Sequence, residues 1–196
     1  MGTASATQLR QDRKQHGTVT GYFPVLEIDG VPLHESLAIC EWAAEVWPEA
    51  GLWPEAPLER AQARAASCEI VSGFANLRRS MSCHVFARVP GVVPDPATQA
   101  EIDRVFELWQ GSLERSGGPY LFGGFGIVDA MYFPVLTRFQ TYGVDLPETL
   151  EGYAAALQEH PSVRAWRELA RRAPRMPHYD QHVRERGGDP DAVLLQ

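Results

Sequence analysis

The sequence predicts an α+β protein that is predominantly α-helical, with a short β-β-α unit leading into an all-helical half. The β-β-α unit is read from FPVLEIDGVPLHES at residues 23–36, where Asp29-Gly30 separates two short apolar runs. Beyond Trp47 the apolar residues recur at helical spacing, with no further strand alternation. Residues 126–142, GIVDAMYFPVLTRFQTY, are too apolar for a surface helix and read as the helix around which others pack.

Residues 1–20 carry little apolar periodicity and are expected to be mobile, with at most a frayed helical turn around 6–15. Val25, Leu26 and Ile28 form the first strand, and Val31-Pro32-Leu33 starts the second after the Asp-Gly turn. His34-Glu35-Ser36 then opens a helix capped by Ser36 or its neighbour, running through Leu37, Ile39, Cys40 and Trp42 towards Pro48. EAGLWPEAPLER, rich in Pro and Glu, reads as a linker. Ile70, Phe74, Leu77 and Met81 form one helical stripe, and Ile102, Val105, Phe106, Trp109 and Leu113 another. RVPGVVPDPAT breaks the chain between them. A last helix is expected from about Leu150 to Arg172, and the polar tail after it is expected to be draped or disordered. The resulting segments are 1–20, 21–50, 51–172 and 173–196.

Composition excludes several classes of function. A net charge of −7 over 196 residues gives no electrostatic reason to bind nucleic acid or an anionic membrane. No apolar run approaches the ~20 residues that cross a bilayer. Three cysteines without CxxC spacing argue against a disulfide framework or zinc knuckle and for a reducing, cytoplasmic setting.

Four stretches carry a resemblance: FPVLEIDGVPLHESLAICEW (23–42), GLWPE (51–55), ASCEIVSGFANLRRSM (66–81) and PYLFGGFGIVDAMYFPVLTRFQTYGVDLP (119–147). Together they resemble the bacterial glutathione S-transferase family over roughly residues 21–170. The resemblance implies a thioredoxin-like β/α unit, an α-helical bundle and a homodimer. It also implies that glutathione is the co-substrate. Pro24 would follow a cis bond, letting the backbone of Phe23 pair with the cysteinyl part of the peptide. Glu35 and Ser36 would hold its γ-glutamyl end. A helix N-terminus offers free N–H groups and partial positive charge to a carboxylate, Ser adds a hydroxyl, and Glu accepts from an ammonium. Ser36 equally suits a plain N-cap.

The sequence departs from the family pattern in two places. A thioredoxin-like half needs roughly 40 residues before the hairpin, and only 23 precede Pro24. The family's thiol-activating Ser, Tyr or Cys therefore has no counterpart, which implies either a mis-assigned start or a natural truncation. At the buried helix Gly126 stands where the family has a capping hydroxyl, while Asp129 keeps the third helical position and is expected to be buried as a local cap.

Catalytic residues are not assigned by motif; Cys83, His84, Arg78 and Tyr142 are the candidates. A thiolate beside an imidazolium is stabilised, which makes Cys83-His84 a conceivable nucleophile, but adjacent residues rarely face one another, and a packed cysteine is the plainer reading. Arg78 and Arg138 suit either an acidic substrate or an ion pair with a buried carboxylate such as Asp129. His178 and His182 stand one turn apart without a third ligand, so no metal site is expected. Three functions follow. The first is a glutathione-dependent enzyme (transfer, thiolysis or isomerisation) on a small hydrophobic electrophile. The second is a glutathione-independent isomerase or cyclase on the same fold, and the third a non-catalytic binding or dimerisation module.

Overall fold

The computed structural model describes Gln11, Lys14, Gly21 and residues 23–194, so the turn expected over 6–15 lies almost wholly outside the described residues. The chain divides into two compact units, Met1–Leu52 and Trp53–Gln196.

In the first unit, β1 (Val25–Ile28) and β2 (Val31–His34) form an antiparallel hairpin in which Val25 faces His34 and Ile28 faces Val31. Asp29 and Gly30 both have positive φ, 49° and 79°, which is the turn geometry that Asp-Gly favours between twisted strands. Helix α1 (Ser36–Val46) follows directly, with Glu35 as N-cap. It ends at Trp47, because Pro48 has no N–H to continue the ladder.

The second unit is all helix. Its members are α2 (Pro57–Ser72), α3 (Ala75–Ser80), α4 (Pro96–Ser116), α5 (Ile127–Tyr142), α6 (Glu148–Glu159), α7 (Pro161–Arg172) and α8 (Pro177–Glu185). Proline at the start of α2, α4, α7 and α8 fits a position whose N–H has no intrahelical partner. Helix α5 is the centre, with Tyr132, Leu136, Phe139 and Tyr142 fully buried. Trp109 of α4 meets Tyr132, Phe139 and Tyr153 edge-to-face, at 5.8, 5.8 and 5.2 Å between centroids. This arrangement suits aromatic quadrupoles and fixes the layer between α4, α5 and α6.

Two sequence expectations change, and a third is narrowed. The stripe Ile70–Met81 is buried as expected, but it is not one helix: α2 stops at Ser72, and Phe74 is left-handed at φ 57°. The new N-terminus of α3 has no cap of its own. Glu101 of α4 supplies one, accepting from the backbone N–H of Asn76 at 3.2 Å and of Leu77 at 2.7 Å. The helix expected over 150–172 is two helices, α6 and α7, because His160-Pro161 interrupts the ladder. The tail is draped rather than disordered, and it includes α8.

Candidate functional site

Phe23, Pro24, Glu35 and Ser36 flank the open end of the β1–β2 hairpin. The ladder ends where Val25 pairs with His34, and Phe23-Pro24 and Glu35-Ser36 follow directly on the two strands at that end. All four therefore lie at the open end of one hairpin. The Phe23–Pro24 bond is cis, and Phe23 is 46% exposed.

Glu35 adopts φ 76° and ψ 122°, a conformation that a non-glycine residue rarely occupies. Its carbonyl accepts the first helical bond, from Ile39 N–H at 3.0 Å. Its side chain makes no cap bond, and the first turn of α1 holds no acidic residue. Among the described residues no side-chain cap accepts from the leading N–H groups of α1, and the half-exposed Ser36 stands at the first helical position beside them. That arrangement suits a carboxylate, which takes N–H bonds and the positive end of the dipole together.

The other candidates belong to the second unit, and the structure does not assemble them into one group. The Cys83 thiol is pushed up by burial, against a smaller downward pull from Arg138, which is the reverse of an activated thiolate. His84 is buried, its Nε2–H donating to Asp180 Oδ1 at 2.8 Å. The Tyr142 hydroxyl accepts from Ser82 N–H at 3.0 Å and pairs with Ser82 Oγ at 2.9 Å, deep in the core. Arg78 is exposed near the end of α3.

Asp129 is not the partner of either arginine. Arg138 donates to the carbonyls of Met81 and Pro134, both at 2.9 Å. Asp129 is 1% exposed and accepts from Leu121 N–H at 3.1 Å and Gly126 N–H at 2.9 Å. It therefore caps α5 and ties down the preceding loop, as its position in the sequence implies.

Sequence reasoning missed a charged relay in the second unit. Asp180 Oδ1 accepts from His84 and also from Arg175 Nη2 at 2.9 Å, and Arg175 Nη1 donates to Asp191 at 2.7 Å. Burial pushes the Asp180 carboxyl up, but Arg175 and His84 outweigh it and hold the group below its usual range. No local signal announces a pair 96 residues apart. His178 and His182 sit on α8 with Asp180, and no group of three or more metal-ligating side chains gathers among the described residues. A cavity of about 370 Å³ opens between α2 and α4, lined by Leu58, Gln62, Ser112, Arg115 and Phe122 among others, and it includes none of the four catalytic candidates.

Comparison with known proteins finds similarity to one family. The model of the glutathione S-transferase C-terminal domain matches residues 85–169. A glutathione transferase homolog from Burkholderia, solved with bound glutathione, superposes with a TM-score of 0.60 at 25% identity, covering 83% of this chain and 80% of that one. The chain is similar to glutathione S-transferase-like proteins. Within that family, maleylacetoacetate isomerase of Rattus norvegicus is 31% identical over 124 residues, 63% of this chain. The probable maleylacetoacetate isomerase of Vibrio cholerae is 28% identical over 146 residues, 71% of this chain and 67% of its own. The chain spans 56% of the rat enzyme's length. In family terms, the hairpin with α1 is a partial thioredoxin-like unit, and α2 onwards is the helical domain.

Proposed function

We propose that this chain binds glutathione at the open end of the hairpin and serves a glutathione-dependent transferase or isomerase acting on a small hydrophobic electrophile. The observation that carries the proposal is the uncapped N-terminus of α1, with Ser36 at its first position and Glu35 held at φ 76° beside it. The similarity to maleylacetoacetate isomerases and to a transferase homolog with bound glutathione supports the same reading.

The residues divide the work by charge. The Ser36 hydroxyl and the free N–H groups of α1 would take the γ-glutamyl carboxylate, and the exposed Glu35 carboxylate its ammonium. The backbone of Phe23, ahead of the cis bond to Pro24, would align the cysteinyl unit. When bound, glutathione supplies a thiol that attacks an electrophilic carbon once ionised. A homodimer in the cytoplasm completes the proposal, and the free Cys40, Cys68 and Cys83 suit a reducing compartment.

Calorimetric titration with glutathione tests the site. Ser36→Ala should weaken binding by about 1.5–3 kcal/mol, the range for a hydrogen bond to a charged partner. Wild-type affinity in that variant, with binding intact, would overturn the anchor. One observation favours a second reading, a non-catalytic binding module. The Tyr142 hydroxyl is engaged with Ser82, His84 Nε2 is held by Asp180, and the Cys83 thiol is pushed up by burial, so none of the three is set up as an activated nucleophile. Glutathione binding without turnover in an isomerase and conjugation assay would select that reading.

A further inference from the structure

Helix α7 rests lightly on the bundle. Of its twelve residues only Val163 is buried, whereas α6, equally long, buries Leu150, Tyr153, Ala154 and Leu157. Trp166 adds an edge-to-face contact with Phe133 at 5.3 Å but stays 45% exposed, and Leu169 is 66% exposed. A helix this short is marginal in water on its own, so its ends carry more of its stability than the ends of its neighbours do.

The start of α7 is held by one side chain. His160 closes α6 and opens α7, and its Nδ1 accepts from Ser162 N–H at 3.3 Å. An imidazole nitrogen accepts only while it carries no proton, so this bond requires the neutral ring with its proton on Nε2. The ring stacks on Phe125 at 3.7 Å, with planes 10° apart, and Tyr120 meets it edge-on at 5.7 Å. Neither neighbour brings a charge: burial and the nearby Asp129 push the Tyr120 hydroxyl up, and it donates to the Ala156 carbonyl at 3.4 Å. Glu159 and Arg164, on either side of His160 in the chain, reach each other at 3.7 Å on open surface, so their charges largely offset. Burial pulls the imidazole below its ordinary value.

A second proton changes what the ring prefers. At the start of α7 a charged ring has no lone pair left for Ser162 and meets the positive end of the helix dipole. At the end of α6 it meets the negative end and carbonyls without intrahelical partners. The stack on Phe125 survives, since an aromatic face also takes a cation.

We propose that His160 is a proton-operated clasp between α6 and α7: its neutral ring holds the start of α7, and protonation turns it to the end of α6 and lets α7 loosen over Phe133. The clasp contributes fully above about pH 6.5 and is lost as pH falls through the lowered folded value. Asp129, pushed up to about 6, works in the opposite sense and cannot imitate the response.

The test is residue-resolved amide hydrogen exchange on the whole chain at pH 5 and pH 8, expressed as protection relative to the unfolded chain. In wild type, amides 164–168 should lose protection about fivefold at pH 5, the order of one helix cap, while α5 keeps its own. His160→Asn supplies a cap that does not titrate and should stay protected at both values. His160→Ala supplies none and should be weakly protected at both. The two variants lose the stacked ring alike, so the difference between them isolates the cap. Equal protection of wild-type α7 at pH 5 and pH 8 overturns the proposal. So does an acid loss that persists in His160→Asn, or protection that is the same in the two variants.

Discussion

Asp129 shows how one side chain joins local order to a pH response. Burial pushes its carboxyl up to about 6, although the N–H groups of Leu121 and Gly126 pull the other way, and Tyr153 does too. The folded chain therefore holds this proton more tightly than the unfolded chain does. Its contribution to stability is fully present below pH ~4 and is lost as pH rises through about 6. A rise of about two units corresponds to roughly 3 kcal/mol across that window. Asp129→Ala should destabilise at every pH, since the Leu121 and Gly126 N–H groups lose their acceptor. The loss should be largest at pH 4–5 and shrink towards pH 8. Denaturant melts of the two proteins at a series of pH values measure this, and a gap that widened with pH would contradict the raised pKa. The role of Asp129 was legible in the sequence because capping is local, three residues from Gly126. The hairpin itself was legible for the same reason, since an Asp-Gly turn sets the pairing of Val25–Ile28 with Val31–His34.

At the scale of elements, legibility ended where partners are distant. The stripe from Ile70 to Met81 stays in phase across Gly73, so periodicity gives no warning that the helix breaks, and the cap that permits the break comes from Glu101 in another helix. The tail is the stronger case. Arg88 and Asp189 exchange backbone bonds at 3.0 and 2.9 Å, Val193 N–H reaches the Phe86 carbonyl at 2.9 Å, and Val183 of α8 is fully buried. These contacts span about a hundred residues and leave a sequence that reads as polar and broken. Gly188 is the close point: a Cβ there would sit 2.6 Å from the Arg88 carbonyl oxygen and 2.6 Å from Val89. Its φ is not positive, so the constraint is steric alone. Gly188→Ala should therefore push the tail off the 86–89 segment, at a cost of about 1–3 kcal/mol, typical of overpacking. Hydrogen exchange should show Arg88 and Asp189 losing protection while α5 keeps its own. Unchanged protection at Arg88 would mean that the tail is not held there.

Across the whole molecule the two units differ in how well they bury themselves. The helical unit closes around α5 and the aromatic layer of Trp109. The first unit, in its described residues, is built on one hairpin, α1 and a short 3-10 turn at Pro48–Ala50, and none of the residues of α1 is fully buried. Val31 is 66% exposed, Trp47 48% and Phe23 46%. A two-stranded hairpin is marginal in water without cover for its apolar side chains, and apolar groups left open in this way favour association. A second copy of the chain is the cover we expect, in a closed pair that shields these residues on both protomers at once. Sedimentation equilibrium at micromolar concentration should give twice the chain mass. Val31→Lys, which replaces an exposed apolar contact with a charge, should shift the equilibrium towards monomer while leaving the helical circular-dichroism signal intact. A wild-type monomer throughout that range would contradict the pairing. A Val31→Lys protein that dimerised like wild type would remove the hairpin face from the interface and leave the exposed ends of α1 and Trp47 as the surface to test next.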